Sequence, residues 1–77
     1  MKELIEYIAS SLVDKPEKVN VSQRRSRGRT RLELQVDKAD MGRVIGKNGR
    51  VANSMRALLR VAAARESKQA SLYIIEP

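Results

Sequence analysis

The apolar period of this chain changes twice between residues 30 and 75, and few folds accommodate that change. Residues 30–36, TRLELQV, alternate, which sets Leu32, Leu34 and Val36 on one face of a strand. Residues 50–65, RVANSMRALLRVAAAR, repeat at helical spacing instead and align Val51, Met55, Leu58, Leu59 and Ala62. Ala57 and Ala62 to Ala64 raise the helix propensity of this run. Ser67 to Gln69 break it, and residues 70–75, ASLYII, return to strand character. A shorter helix over about residues 38–45 fits between, with Asp37 at its start. Asp40, three residues on, resembles the second half of a capping box with an acid in place of Glu. Gly46 would stop that helix, and the long one begins almost at once.

Upstream, residues 18–24, KVNVSQR, alternate Val19, Val21 and Gln23 against polar neighbours. The loop RSRGR at 25–29 joins this run to the next, with Gly28 free to take a positive φ, and so predicts a hairpin. Residues 3–13, ELIEYIASSLV, put Leu4, Ile5, Ile8 and Leu12 on one helical face, and Pro16 ends the run. The order is α-β-β-α-α-β, an α+β arrangement with no internal repeat, linker or low-complexity tract.

At 77 residues, one domain spanning 1–77 is the expectation. There is no Cys, which removes disulfides and thiolate metal sites, and no His, which removes the commonest general base and metal ligand. No nucleophile, base or metal set is arranged for chemistry, so neither an enzyme nor a metal, cofactor or small-molecule substrate is expected. The amphipathic N-terminal run carries Glu3 and Glu6 and predicts a helix, not a signal peptide. No apolar stretch is long enough to span a membrane, and no helix pairs a cationic face with bulky aromatics. A cytoplasmic protein without a membrane partner is the expectation.

Charge is the strongest global signal. Lys and Arg number 16 against 9 Asp and Glu, a formal +7, which points to a polyanion and first to nucleic acid. Arg24, Arg25, Arg27 and Arg29 crowd one hairpin tip, with Arg31 just beyond. Their mutual repulsion favours an anion that relieves it. Arg56 and Arg60 lie four apart on the long helix, opposite Val51, Leu58 and Ala62, with Asn53 on the same side. Aromatics are limited to Tyr7 and Tyr73, too few for a sheet that stacks successive bases, so Tyr73 is expected to pack or to cap a sheet edge.

Residues 41–51, MGRVIGKNGRV, place two glycines around Lys47 and Asn48 at the junction of two helices. A nucleotide-binding P-loop needs four residues between its glycines, then Lys and Ser or Thr. Gly42 and Gly46 are separated by three residues, Asn48 stands in place of the hydroxyl, and the stretch follows a helix, so an NTPase is excluded. A tight turn accounts for a glycine here, but poorly for Lys47, Asn48 and Arg50. A phosphate backbone approaching the main chain at a helix start accounts for both.

The string from Asp40 to Arg50, DMGRVIGKNGR, set between two helices of a β-α-α-β unit, resembles the KH domain, whose G-x-x-G loop clamps single-stranded RNA or DNA. With α-β preceding that unit, the order resembles the type II KH arrangement, and length and order together are similar to the small bacterial KhpA family. The resemblance implies a three-stranded mixed sheet with the helices on one face and the last strand parallel to its neighbour. It implies a groove for about four nucleotides between the two helices and the sheet edge. It makes Gly46, Lys47, Asn48 and Gly49 the clamp, flanked by Arg43 and Arg50. Val44, Ile45, Val51 and Met55 become candidates for the groove floor, and the loop carrying Arg25, Arg27 and Arg29 becomes its border.

Ser54, Ala57, Val61 and Ala64 form a stripe of small residues on the long helix. KhpA-like proteins are understood to self-associate and to pair with the larger KhpB. Ser54, Ala57, Val61 and Tyr73 are therefore candidates for a contact in a homodimer or with a KhpB-like partner. Two functions are open: an RNA chaperone or post-transcriptional regulator, and a protein-interaction subunit whose RNA contact is incidental. The resemblance implies growth, cell shape and envelope synthesis as the output of either.

Overall fold

A computed structural model describes residues 1–76. Six main elements follow in order: α1 (Lys2–Leu12), β1 (Asn20–Ser26), β2 (Arg29–Gln35), α2 (Met41–Ile45), α3 (Arg50–Arg65) and β3 (Gln69–Ile75). Three short 3₁₀ turns, Pro16–Lys18, Lys38–Asp40 and Lys47–Gly49, punctuate them. The sheet order is β1-β2-β3, with β1 antiparallel and β3 parallel to β2. It is the three-stranded mixed sheet of a KH-type fold, with the helices over one face.

The hairpin closes on two residues, because Ser26 pairs with Arg29. Arg27 and Gly28 take φ of 51° and 78°. Two consecutive positive φ values make a type I′ turn, whose twist matches that of the strands. The first strand starts later than its alternation suggests. Pro16 fixes a 3₁₀ turn through Lys18, so pairing begins only at Asn20.

One side of the sheet carries Val21, Thr30, Leu32, Leu34 and Leu72, all buried, and meets Ile5 and Ala9 of α1, Val44 of α2, and Met55 and Leu59 of α3. The inward face of α3 is Ala52, Met55, Leu59 and Ala63, about one residue's rotation from the stripe that bulk alone predicts. The small alanines let α3 lie close to the sheet. Leu58 consequently stays 52% exposed, and Leu12 at the end of α1 is also left at the surface. Beyond the end of α3, Ser67 takes a positive φ of 55°, which lets Lys68 N–H reach the Ala63 carbonyl at 2.9 Å and Ser67 N–H the Ala64 carbonyl at 3.0 Å. This is a Schellman closure with serine where glycine is usual.

Asp37 caps the turn before α2 as expected, accepting from Ala39 N–H at 3.1 Å. Asp40 does something else. Its carboxylate is 1% exposed and accepts main-chain N–H bonds from Asp14 at 3.2 Å and Lys15 at 3.1 Å. Arg43 lies 3.4 Å from the same carboxylate and 3.0 Å from that of Asp14. Asp40 thus fastens the start of α2 to the turn after α1. Asp40→Ala would strand two donors and weaken that joint. The expected loss is about 2–3 kcal/mol in urea unfolding, with the denaturant slope unchanged.

Candidate nucleic-acid interface

The loop between α2 and α3 is shaped by three consecutive demands on the backbone. Gly46 closes α2 through its N–H to the Gly42 carbonyl at 2.9 Å, then turns to φ 75°, ψ 174°. That region of conformational space is open essentially to glycine alone. Asn48 and Gly49 follow in the left-handed region at φ 56° and 74°. Asparagine tolerates this conformation better than most residues. The turn therefore explains Asn48 as well as the glycines, contrary to the expectation from sequence.

The two glycines differ in what they exclude. A Cβ on Gly46 would drive into the side chain of Val51 and lie 2.9 Å from the Val51 nitrogen, whereas a Cβ on Gly49 would meet nothing nearer than 3.8 Å. Gly46 folds the loop flat against the first turn of α3, and Gly49 only supplies the left-handed turn. Lys47 and Asn48 are exposed at the tip. As the first residues of their turn, they have main-chain N–H groups without a partner inside it. No side chain caps α3, and its first turn holds no acid, so the positive end of its dipole is uncompensated there. Among the described residues, Lys47 and Arg50 take part in no ion pair.

The other proposed contacts fall into separate places. Arg43, engaged by Asp14 and Asp40, is a strut of α2 more than a free cation. Val44 is fully buried and Met55 is 1% exposed, so both belong to the core and present no floor to a ligand. Ile45, 36% exposed, and the half-buried Val51 are the apolar surface that remains beside the loop. Arg25, Arg27 and Arg29, expected at the border of the groove, stand at the end of the sheet away from the loop. α3 runs antiparallel to β3 for sixteen residues, so the hairpin, bonded to the start of β3 through Gln69 N–H and the Gly28 carbonyl, lies about 24 Å from the loop.

Between the two ends a trough runs along the sheet edge, on the side of α3 where the resemblance implies a groove. Arg56, Leu59 and Arg60 of α3 form one wall and Ala70 to Tyr73 of β3 the other. A neighbouring hollow continues along Ser71 and Gln69 to Arg29. Arg56 and Arg60 do lie opposite Leu58, on the side of α3 toward the sheet edge, where Arg56 is half-buried and Arg60 stays exposed. Arg56 donates from Nε to the Leu72 carbonyl at 3.2 Å and from Nη1 to Asn53 Oδ1 at 3.2 Å. No periodicity in α3 distinguishes this from a solvated arginine. The pairing of β3 at the sheet edge creates it.

Comparison with known proteins agrees with this geometry. Residues 2–74 match the family model described as KhpA/KhpB, KH domain. The chain belongs to this KhpA/KhpB KH-domain family. It is 49% identical over 75 residues to the RNA-binding protein KhpA of Clostridium perfringens, covering 97% of this chain and 100% of that one. It is 42% identical over 76 residues to the KhpA of Halalkalibacterium halodurans, covering 99% of this chain and 100% of the other. A solved structure of Aquifex aeolicus Era aligns with a TM-score of 0.66 and 16% identity over 95% of this chain and 28% of that one. At that identity the likeness speaks for the fold alone. The KhpA relatives are matched over their whole length. No helix among the described residues is long and apolar enough to cross a membrane.

The asymmetry of the two glycines is open to test. Gly49→Ala should cost about 1–2 kcal/mol, the strain of a left-handed alanine. Gly46→Ala should cost more, because Val51 must also shift. Thermal melts of the two variants should rank them in that order, and equal losses would contradict the packing described.

Proposed function

We propose that this protein binds single-stranded RNA, with the Gly46–Gly49 loop as the clamp for the sugar-phosphate backbone. The observation that carries the reading is the loop itself: side-chain-free glycines, N–H groups without a partner in the turn, an uncapped helix start and an unpaired lysine converge at one exposed point. Arg50, Ile45 and Val51 supply the flanks. The trough between α3 and β3 continues the path, so Arg56 and Arg60 join the contacts, and Arg25, Arg27 and Arg29 of the hairpin act at its far end. The names of the KhpA relatives support RNA as the polymer. A binding module suits this surface better than an enzyme does.

Affinity should derive largely from phosphate contacts and fall with salt. Lys47→Asp together with Asn48→Asp reverses the charge at the tip while keeping a residue type that accepts the left-handed backbone at 48. Binding to unstructured RNA at low salt should fall at least about tenfold, with unfolding unchanged. Intact affinity would remove the clamp from this reading.

The role that follows is an RNA chaperone or post-transcriptional regulator acting in the cytoplasm, coupled to growth, cell shape and envelope synthesis. Self-association or a KhpB-like partner belongs to the same proposal, and one observation favours it. Ser54, Ala57, Val61 and Ala64 lie on the outer side of α3, away from the core, with Val61 57% exposed and Leu58 beside it at 52%. Small side chains there permit a second helix to approach. Tyr73 does not share that surface; it sits on β3 under Arg31. In the dimer reading, Ala57→Arg or Val61→Arg should shift the solution mass from dimer to monomer by light scattering. An unchanged dimer would move the contact elsewhere.

A further inference from the structure

The helix-free face of the sheet holds a second cationic surface, separate from the clamp. In the β1–β2 register, Arg24 stands directly opposite Arg31. Like charges at directly opposed positions of an antiparallel pair destabilise it, their Cβ atoms being only about 5 Å apart. Arg29 shares this face one pleat from Arg31, and the one acid among the three strands is Glu33, 3.4 Å from Arg31. Arg24 and Arg29 make no ion pair among the described residues. The rest of the surface around them is polar, Ser22, Ser26, Gln69 and Ser71.

Tyr73 sits at the rim where this face meets the trough. It is 44% exposed, and the Arg31 guanidinium lies 4.1 Å from its ring centroid. The ring and the guanidinium that covers one of its faces both lie at the surface. Both are surfaces on which an unpaired base stacks. Tyr73 also lines the trough, so a strand lying there reaches the open face by crossing one residue of β3.

We infer that the open face of the sheet is a second RNA-contacting surface, on which a strand leaving the trough stacks a base at Tyr73 and sets a phosphate between Arg24 and Arg31. The occupant is single-stranded RNA, because the opposed side chains are cationic, their neighbours are polar, and an aromatic marks the entry. A phosphate between the two arginines turns their mutual repulsion into shared attraction. The inference rests on the proposed RNA function, and it predicts that affinity depends on RNA length beyond what the clamp accommodates.

The test uses fluorescein-labelled oligouridine of about four nucleotides, which fills the clamp, and of about twelve nucleotides, which also reaches the face. Arg24→Gln with Arg31→Gln should leave the short oligonucleotide's affinity unchanged. The same double variant should weaken the longer one about fivefold to tenfold and lower its logarithmic salt slope by about 0.7, the value for one neutralised phosphate. Arg24→Gln alone removes no ion pair among the described residues and should lower that slope by about half as much. The Lys47→Asp/Asn48→Asp protein should lose the short oligonucleotide while keeping part of its affinity for the long one. If the arginine variants bind the long oligonucleotide as the unaltered protein does, the inference is overturned and the face is left to a protein partner. Equal weakening of both lengths overturns it too, since it would mark a general charge effect. If the unaltered protein binds neither, the RNA function itself fails, and this surface with it.

Discussion

The parallel pairing of β2 with β3 is the constraint from which the rest of the molecule follows. Parallel neighbours cannot be joined by a turn, so the chain must cross over the sheet and return to the same end. The crossover here is α2 and α3, and α3 must run back along β3 to deliver Gln69 opposite Arg29. The chain therefore reverses at the end of the sheet distant from the hairpin, and that reversal is the Gly46–Gly49 loop. Edge placement of β3 then leaves one side of α3 facing a strand with no further neighbour. The loop and the trough are thus two consequences of one hydrogen-bonded register.

Much of this was legible because each element announces itself by period. The alternation of Leu32, Leu34 and Val36 and the full length of α3 appear in the structure as the residues suggest. What escaped was whatever depends on a partner distant in sequence. Asp40 looks like a local cap, three residues after Asp37. Its actual partners, Asp14 and Lys15, come from the other side of the fold. Arg56 looks like a solvated cation until β3 and its Leu72 carbonyl are placed beside it. Val44 looked like a ligand contact because it adjoins the glycines, yet it points into the core at 0% exposure. In the opposite direction, Asn48 invited a chemical explanation where a backbone one suffices.

Of the site, the motif was legible and its extent was not. Sequence proximity gathers Arg24 to Arg31 into one cluster. The strand pleat divides them, since alternate residues point to opposite faces. Arg25 lies on the side of Thr30, whereas Arg24, Arg29 and Arg31 lie on the open side. The cations of this small chain are therefore spread around its long dimension of 35 Å and not concentrated at a single pole. Such a distribution suits a polymer, which meets a protein at several points, better than a compact anion, which meets it at one.

Arg27 carries a consequence of its own. It occupies the first position of a two-residue turn in the left-handed region, where glycine or asparagine is at ease and an arginine is strained by about 1–2 kcal/mol. A domain of this size has a stability of only several kcal/mol, so the strain is a visible fraction of the whole. At the outermost point of the hairpin, the chain keeps a long cation in a posture its own backbone resists. Local comfort is subordinate there to reach: a guanidinium held on a stiff turn samples less space than one on a loose loop, and meets its counter-charge with less ordering left to do.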